Sequence, residues 1–149
     1  MKSIFLMNET FTLNLLQIHR GFMEKKAILI VDDHDSLRES LKDILDAKGY
    51  NVRSVSNGVD ALKECDANFF DLVIIDIRMP GINGVESIRQ IKEILDYAPK
   101  FFVVTAYAVD ELREEALRLG VEEFLSKPID VQLLIKRIER MFSQKRTSS

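Results

Sequence analysis

Asp71-Leu72-Val73-Ile74-Ile75-Asp76-Ile77-Arg78-Met79-Pro80-Gly81 is an apolar run that ends in one carboxylate and then a Pro-Gly turn. A run so short and so rich in Val and Ile, closed by turn residues, suits a strand covered on both faces, as in a parallel sheet flanked by helices. Asp76 then stands at the carboxyl end of a central strand. Open α/β sheets bind ligands at that edge, because the loops leaving adjacent strands diverge there and open a crevice. A lone Asp after a strand commonly does no more than start a turn. What matters is whether other strands deliver matching groups to the same edge.

Working outward, strand and helix patterns alternate with little between them. Ala27-Ile28-Leu29-Ile30-Val31 reads as a buried strand ending in Asp32-Asp33, and Leu37, Leu41, Ile44 and Leu45 recur at helical spacing until Gly49 supplies a stop. Ser36 and Glu39 have the spacing of a capping box, with a helix start one turn earlier as the alternative. Tyr50 to Ser56 reads as a second strand, followed by Asn57-Gly58 and a helix through Ala61, Leu62 and Cys65. After the Asp76 strand, Val85, Ile88, Ile91, Ile94 and Leu95 mark a third helix, and Lys100 to Thr105 a fourth strand. Leu112, Ala116, Leu117 and Leu119 predict a fourth helix ended by Gly120, Val121 to Ser126 a fifth strand, and Leu133, Leu134, Ile138, Met141 and Phe142 a last helix.

Five strands and five helices in strict alternation predict an α/β fold, a doubly wound five-stranded parallel sheet with helices on both faces. Right-handed crossovers and the flavodoxin-like strand order 2-1-3-4-5 put the first and third strands side by side at the topological switch point. Asp32, Asp33 and Asp76 leave those two strands, Thr105 the fourth and Lys127 the fifth. Four strands thus bring three carboxylates, a hydroxyl and an ammonium to one edge.

Composition is compatible with this. The 149 residues suffice for one domain with a full core, and 46% hydrophobic with 30% charged residues describes a soluble globular chain. A net charge of -3 offers no general attraction for nucleic acid, so no direct nucleic-acid partner is expected. The single cysteine, Cys65, forms no internal disulfide and fits a reducing cytoplasm. No stretch approaches the roughly 18 apolar residues of a membrane span, so no membrane insertion is expected.

Three adjacent carboxylates repel one another, and a divalent cation removes the conflict. Oxygen donors and room for water favour Mg²⁺ over zinc. Such an ion would screen Asp76 from an incoming phosphoryl group, Lys127 would add a positive charge and Thr105 a hydrogen-bond donor, leaving Asp76 suited to attack phosphorus and form an acyl phosphate.

Val31-Asp32-Asp33, Ile75-Asp76-Ile77-Arg78-Met79-Pro80-Gly81, Val104-Thr105-Ala106 and Lys127-Pro128 resemble the receiver domain of response regulators from bacterial two-component phosphorelay systems. The intervals of 43, 29 and 22 residues between Asp33, Asp76, Thr105 and Lys127 make the set specific where each motif alone is weak. The resemblance implies that Asp76 accepts a phosphoryl group from a sensor histidine kinase or histidine phosphotransfer protein. It implies Mg²⁺ held by Asp33, by Asp32 partly through water, by Asp76 and by the main-chain carbonyl of Arg78. Thr105, the amide of Ala106 and Lys127 would hold the phosphoryl oxygens. Phe124 matches the aromatic that moves inward as Thr105 shifts. Arg78 and Tyr107 occupy positions that tune water access, and two bulky side chains there imply slow self-dephosphorylation. Asn83 before Gly84 and Val121 after Gly120 depart from the usual residues without touching the chemistry. His34 reads mainly as an exposed neighbour of the acidic site.

The resemblance covers residues 26–143, leaving an N-terminal extension of 1–25 and a polar tail of 144–149. The 22 residues after Lys127 allow a helix and a tail, so the chain reads as a stand-alone switch acting on a downstream target protein rather than as an enzyme. A receiver fragment of a longer regulator reads the same, and a phosphorylation-independent adaptor is a third possibility. An Asp-based phosphatase would want a second acid where Arg78 stands, and a flavin site would not want Asp32-Asp33-His34-Asp35 after the first strand. Met23 is a rival start to Met1, because Met23-Glu24-Lys25-Lys26 leads straight into the first strand. Intact-mass measurement of the native protein decides between them: a start at Met23 gives the shorter mass, and an intact Met1 terminus excludes it.

Overall fold

The computed structural model describes residues 24–106 and 110–144. Strands β1 (Ala27–Val31), β2 (Asn51–Val55), β3 (Leu72–Ile75), β4 (Lys100–Thr105) and β5 (Glu123–Ser126) alternate with helices α1 (Asp35–Ala47), α2 (Gly58–Ala67), α3 (Gly84–Ile94), α4 (Asp110–Arg118) and α5 (Val131–Ser143). All pairings are parallel, in the order β2-β1-β3-β4-β5. This is the flavodoxin-like doubly wound sheet that the alternation predicts.

Side chains of a strand point alternately to its two faces, and a sheet covered on both sides therefore needs apolar residues at every position. Leu29, Val31, Val73, Ile75, Phe101 and Val103 face one way and pack against Ala61, Cys65, Val85, Ile88, Ile91 and Ala116 of α2, α3 and α4. Ile28, Ile30, Leu72, Ile74, Phe102 and Val104 face the other way, against Leu41 and Leu45 of α1 and Leu134 and Ile138 of α5. Each such fully buried aliphatic or aromatic side chain contributes about 1.5–3 kcal/mol of apolar burial. The amino-terminal edge is braced by Asp71, whose Oδ2 accepts from the Ala27 N–H at 2.8 Å and whose carbonyl accepts from the Lys100 N–H at 3.0 Å.

The helix ends explain most of the boundaries. Gly49, with φ +98°, ends α1: its N–H donates to the Asp46 carbonyl and the Tyr50 N–H to that of Leu45, which is a Schellman motif. Gly120 ends the fourth helix region in the same way, with Val121 bonding back to Ala116. Asn57, Asn83 and Asp130 cap α2, α3 and α5 through their side chains. The Ser36–Glu39 capping box does not form, because α1 already begins at Asp35 and takes Ser36 into its first turn. Three predicted apolar positions are exposed: Ile94 at 49%, Leu117 at 52% and Leu133 at 37%. In α4 the inward pair is Leu112 and Ala116, four residues apart, so Leu117 is rotated off that face. The N-terminal extension before Glu24 and the tail after Gln144 lie outside the described residues.

Cys65 is sealed under α2. Burial, assisted by the Glu64 carboxylate, pushes its thiol up to about 12 from an ordinary 9.0. The thiolate is disfavoured in the folded chain relative to the unfolded one, so stability falls as pH rises above the ordinary thiol value. At pH about 8 the folded protein should react with iodoacetamide about a thousandfold more slowly than the urea-unfolded chain. Equal rates by mass spectrometry would contradict the buried thiol.

Candidate functional site

The carboxyl ends of β1 and β3 lie side by side, and the ladder runs on past them: the Asp76 N–H donates to the Val31 carbonyl at 3.0 Å and the Asp32 N–H to the Val55 carbonyl at 3.2 Å. These bonds hold the backbone of Asp32 and Asp76 rigidly at the sheet edge. Both residues are buried, at 4% and 5% exposure, whereas Asp33 is open to solvent. Gly84 lets α3 begin close against the Asp76 loop. A β-carbon there would lie 2.3 Å from the Asp76 carbonyl oxygen and 2.8 Å from Ile77 Cα, so no larger residue fits without displacing that backbone.

Lys127 crosses to the acids from the far side. Its Nζ lies 2.8 Å from Asp32 Oδ2 and 2.8 Å from Asp76 Oδ2. Its N–H donates to the Thr105 carbonyl at 3.0 Å, which ties the end of β5 to the end of β4. Burial works against the ammonium, but hydrogen bonds and attraction from Asp32 and Asp76 outweigh it and hold its pKa above the ordinary 10.5. Asp76 Oδ1 accepts from the Arg78 N–H at 3.1 Å.

The predicted residues therefore fall into groups. Asp32, Asp33 and Asp76 converge, with ligand atoms from these three and from His34 all within 4.8 Å of one another. Three carboxylates against one ammonium leave two negative charges uncompensated, a balance that a divalent cation restores. The carboxylate oxygens are hard donors of the kind that Mg²⁺ takes. Thr105 is buried at the same edge, with the exposed Ala106 next to it. Arg78 is exposed beside the acids and anchors Asp76 through its amide. Phe124 lies away from them on β5, opposite Val103, half-buried with the Arg113 guanidinium 4.7 Å from its ring centre. Tyr107 lies outside the described residues.

Two contacts were not foreseen. His34 donates its N–H to Asp32 Oδ1 at 2.9 Å, and its Nδ1 lies 3.4 Å from Asp32 and 3.5 Å from Asp33. Arg38 donates to the Asp32 carbonyl at 2.7 Å and pairs with Asp35. The first carries a legible signal, since an Asp followed two residues later by a free N–H is the spacing of an Asx turn.

A family model described as the response regulator receiver domain matches residues 28–139. The chain belongs to that family. Receiver domains of known structure share its fold. One from Methanospirillum hungatei, described as CheY-like, is 29% identical with a TM-score of 0.76, over 80% of this chain and 95% of that one. The response regulator protein TrrA of Thermotoga maritima, crystallised in complex with Mg²⁺-BeF, is 34% identical with a TM-score of 0.67, over 78% of this chain and 98% of that one. The transcriptional regulatory protein CrdR of Helicobacter pylori is 32% identical over 81% of this chain. The chain spans 56% of CrdR but only 27% of the transcriptional regulatory protein ZraR of Salmonella typhimurium, which is 34% identical over 80% of this chain. Among the described residues, no helix is long and apolar enough to cross a membrane.

Removing the ammonium should expose the charge conflict. Lys127→Met leaves Asp32 and Asp76 buried without their cation and should lower stability by about 3 kcal/mol near neutral pH, measured by urea unfolding. Because the folded lysine pKa is raised, its contribution is complete below the ordinary 10.5 and is lost as pH climbs through the raised value. Above neutral pH the gap between the two proteins should therefore persist until strong alkali, and a gap that closes just above neutrality would contradict this assignment.

Proposed function

We propose that this chain is a phosphorylation-dependent switch in which Asp76 accepts a phosphoryl group from a sensor histidine kinase or a histidine phosphotransfer protein. The observation that carries this is the buried Asp76 carboxylate at the end of the central strand, 2.8 Å from Lys127 and beside two further acids. A carboxylate oxygen of Asp76 attacks phosphorus, the bond from phosphorus to the donor nitrogen breaks, and the electron pair stays with that nitrogen. An acyl phosphate results.

The chain's own residues divide the remaining work. Asp32, Asp33, Asp76 and the Arg78 carbonyl would hold Mg²⁺, which supplies charge neutralisation at the transferring oxygens when bound. Lys127 pairs with the phosphoryl group once it forms, while Thr105 and the Ala106 amide donate to its remaining oxygens. Phosphorylation favours one of two conformations only as far as these contacts differ between them. Phe124, covered by Arg113 at 4.7 Å, is the side chain whose inward movement would carry the change to the surface of α4, β5 and α5. A downstream protein reads that surface, within a cytoplasmic pathway. Arg78 and Tyr107 shield the phosphoryl group from water and make its loss slow.

One observation favours a second form of the same switch. The relatives described as transcriptional regulatory proteins are about two to four times as long as the matched region, so the domain would fit equally as the receiver portion, about residues 26–143, of a longer regulator. In that form the changed surface acts on an attached output domain.

Incubation with Mg²⁺ and a small acyl phosphate tests the chemistry by intact mass. A single stable phosphoryl adduct is expected on the wild-type chain and none on Asp76→Asn. Turnover of the donor without an adduct would favour a phosphatase, and no reaction would favour a phosphorylation-independent adaptor.

A further inference from the structure

His34 has no part in the phosphoryl chemistry proposed above, yet its ring is drawn to the same edge. It is the N-cap residue of α1, but its side chain makes no capping bond. Its N–H instead donates to Asp32 Oδ1 at 2.9 Å, closing a turn that fixes where the ring leaves the chain. Nδ1 then lies 3.4 Å from Asp32 Oδ1 and 3.5 Å from Asp33 Oδ1. Together with Asp76, these residues present four donor atoms within 4.8 Å of one another. Donors on opposite sides of an octahedral ion with bonds of about 2.1 Å sit about 4.2 Å apart, so the four already span little more than one coordination sphere.

The donor chemistry is mixed. Carboxylates are hard ligands that suit Mg²⁺, whereas an imidazole nitrogen is softer and adds affinity chiefly for ions such as Zn²⁺ and Ni²⁺. Mg²⁺ dehydrates reluctantly and takes oxygen ligands, so it gains little from the ring. The His34 side chain is 67% exposed, so it can close onto an ion by rotating about its own side-chain bonds without disturbing the core.

We propose that His34 is a fourth donor of the cation site, through Nδ1, and that it makes the site take Zn²⁺ in preference to Mg²⁺. This rests on the reading of Asp32, Asp33 and Asp76 as a cation centre and adds a selectivity that the carboxylates alone do not supply. Zinc then competes with Mg²⁺ for the centre.

Calorimetric titration of Zn²⁺ and, separately, Mg²⁺ into the full chain and into its His34→Asn variant tests the assignment. The wild-type chain should bind Zn²⁺ at least about 100-fold more tightly than Mg²⁺, and His34→Asn should weaken Zn²⁺ about 10- to 100-fold while changing Mg²⁺ less than about threefold. Zn²⁺ should shift the His34 Nδ1 nitrogen resonance by the large amount that direct coordination gives, whereas Mg²⁺ should cause only the small shift of a nearby charge. The variant keeps His19 and Cys65, so zinc held at those residues stays in both chains and does not imitate the loss. An unchanged Zn²⁺ constant in His34→Asn with Mg²⁺ binding intact overturns the role of His34. Absence of Mg²⁺ binding from both chains overturns the cation centre itself, and the proposal with it.

Discussion

A single ammonium stands between two buried carboxylates at the edge of the sheet. Asp32 and Asp76 are almost wholly removed from water, and without a cation their mutual repulsion would act in a medium that screens it poorly. Lys127 reaches both at 2.8 Å, at the cost of burying its own charge. The site is thus electrostatically satisfied in part and acidic in excess, since Asp33 adds a third carboxylate. That excess is what suits the edge both to a divalent cation and to a phosphoryl group arriving with it.

The sheet makes this convergence possible at little cost in conformational order. Parallel strands deliver their carboxyl ends to one edge, and the order β2-β1-β3-β4-β5 puts β1 and β3 side by side there. Two apolar layers, one on each face, lock the strand register that aims Asp32 and Asp76 at each other. A slip of one residue would turn every core side chain to the opposite face. The polar edge is rigid because the apolar layers behind it are complete. On the α3–α4 side, helix contacts extend the frame: Arg89 pairs with both Glu86 and Glu115, and Lys92 donates to the Leu119 carbonyl. A change at the end of β4 therefore meets a helix that is already tied to its neighbour.

Much of this was legible in the chain itself. Val and Ile runs without alternation marked strands covered on both faces, Gly49 and Gly120 marked helix ends, and the carboxylates after two such runs marked the functional edge. Local chemistry also left choices open. Ser36 and Glu39 have capping spacing, and of the two helix starts the sequence allows, the structure takes the earlier one, with His34 at the N-cap. Ile94, Leu117 and Leu133 counted as apolar positions but sit on outward faces, because hydrophobicity alone does not say which side of a helix meets the sheet.

By itself, the order of residues determined the alternation of strands and helices, the parallel sheet and which side chains leave its carboxyl edge, because periodicity and turn chemistry act over a few neighbours. Only the tertiary structure decided that Lys127 bridges Asp32 and Asp76, that the His34 ring turns toward the acids and that Arg113 covers Phe124. Those contacts depend on side-chain directions and on strand ends brought together across as much chain as separates Asp32 from Lys127. No local pattern encodes a distance of that kind, and packing of the two apolar layers sets it.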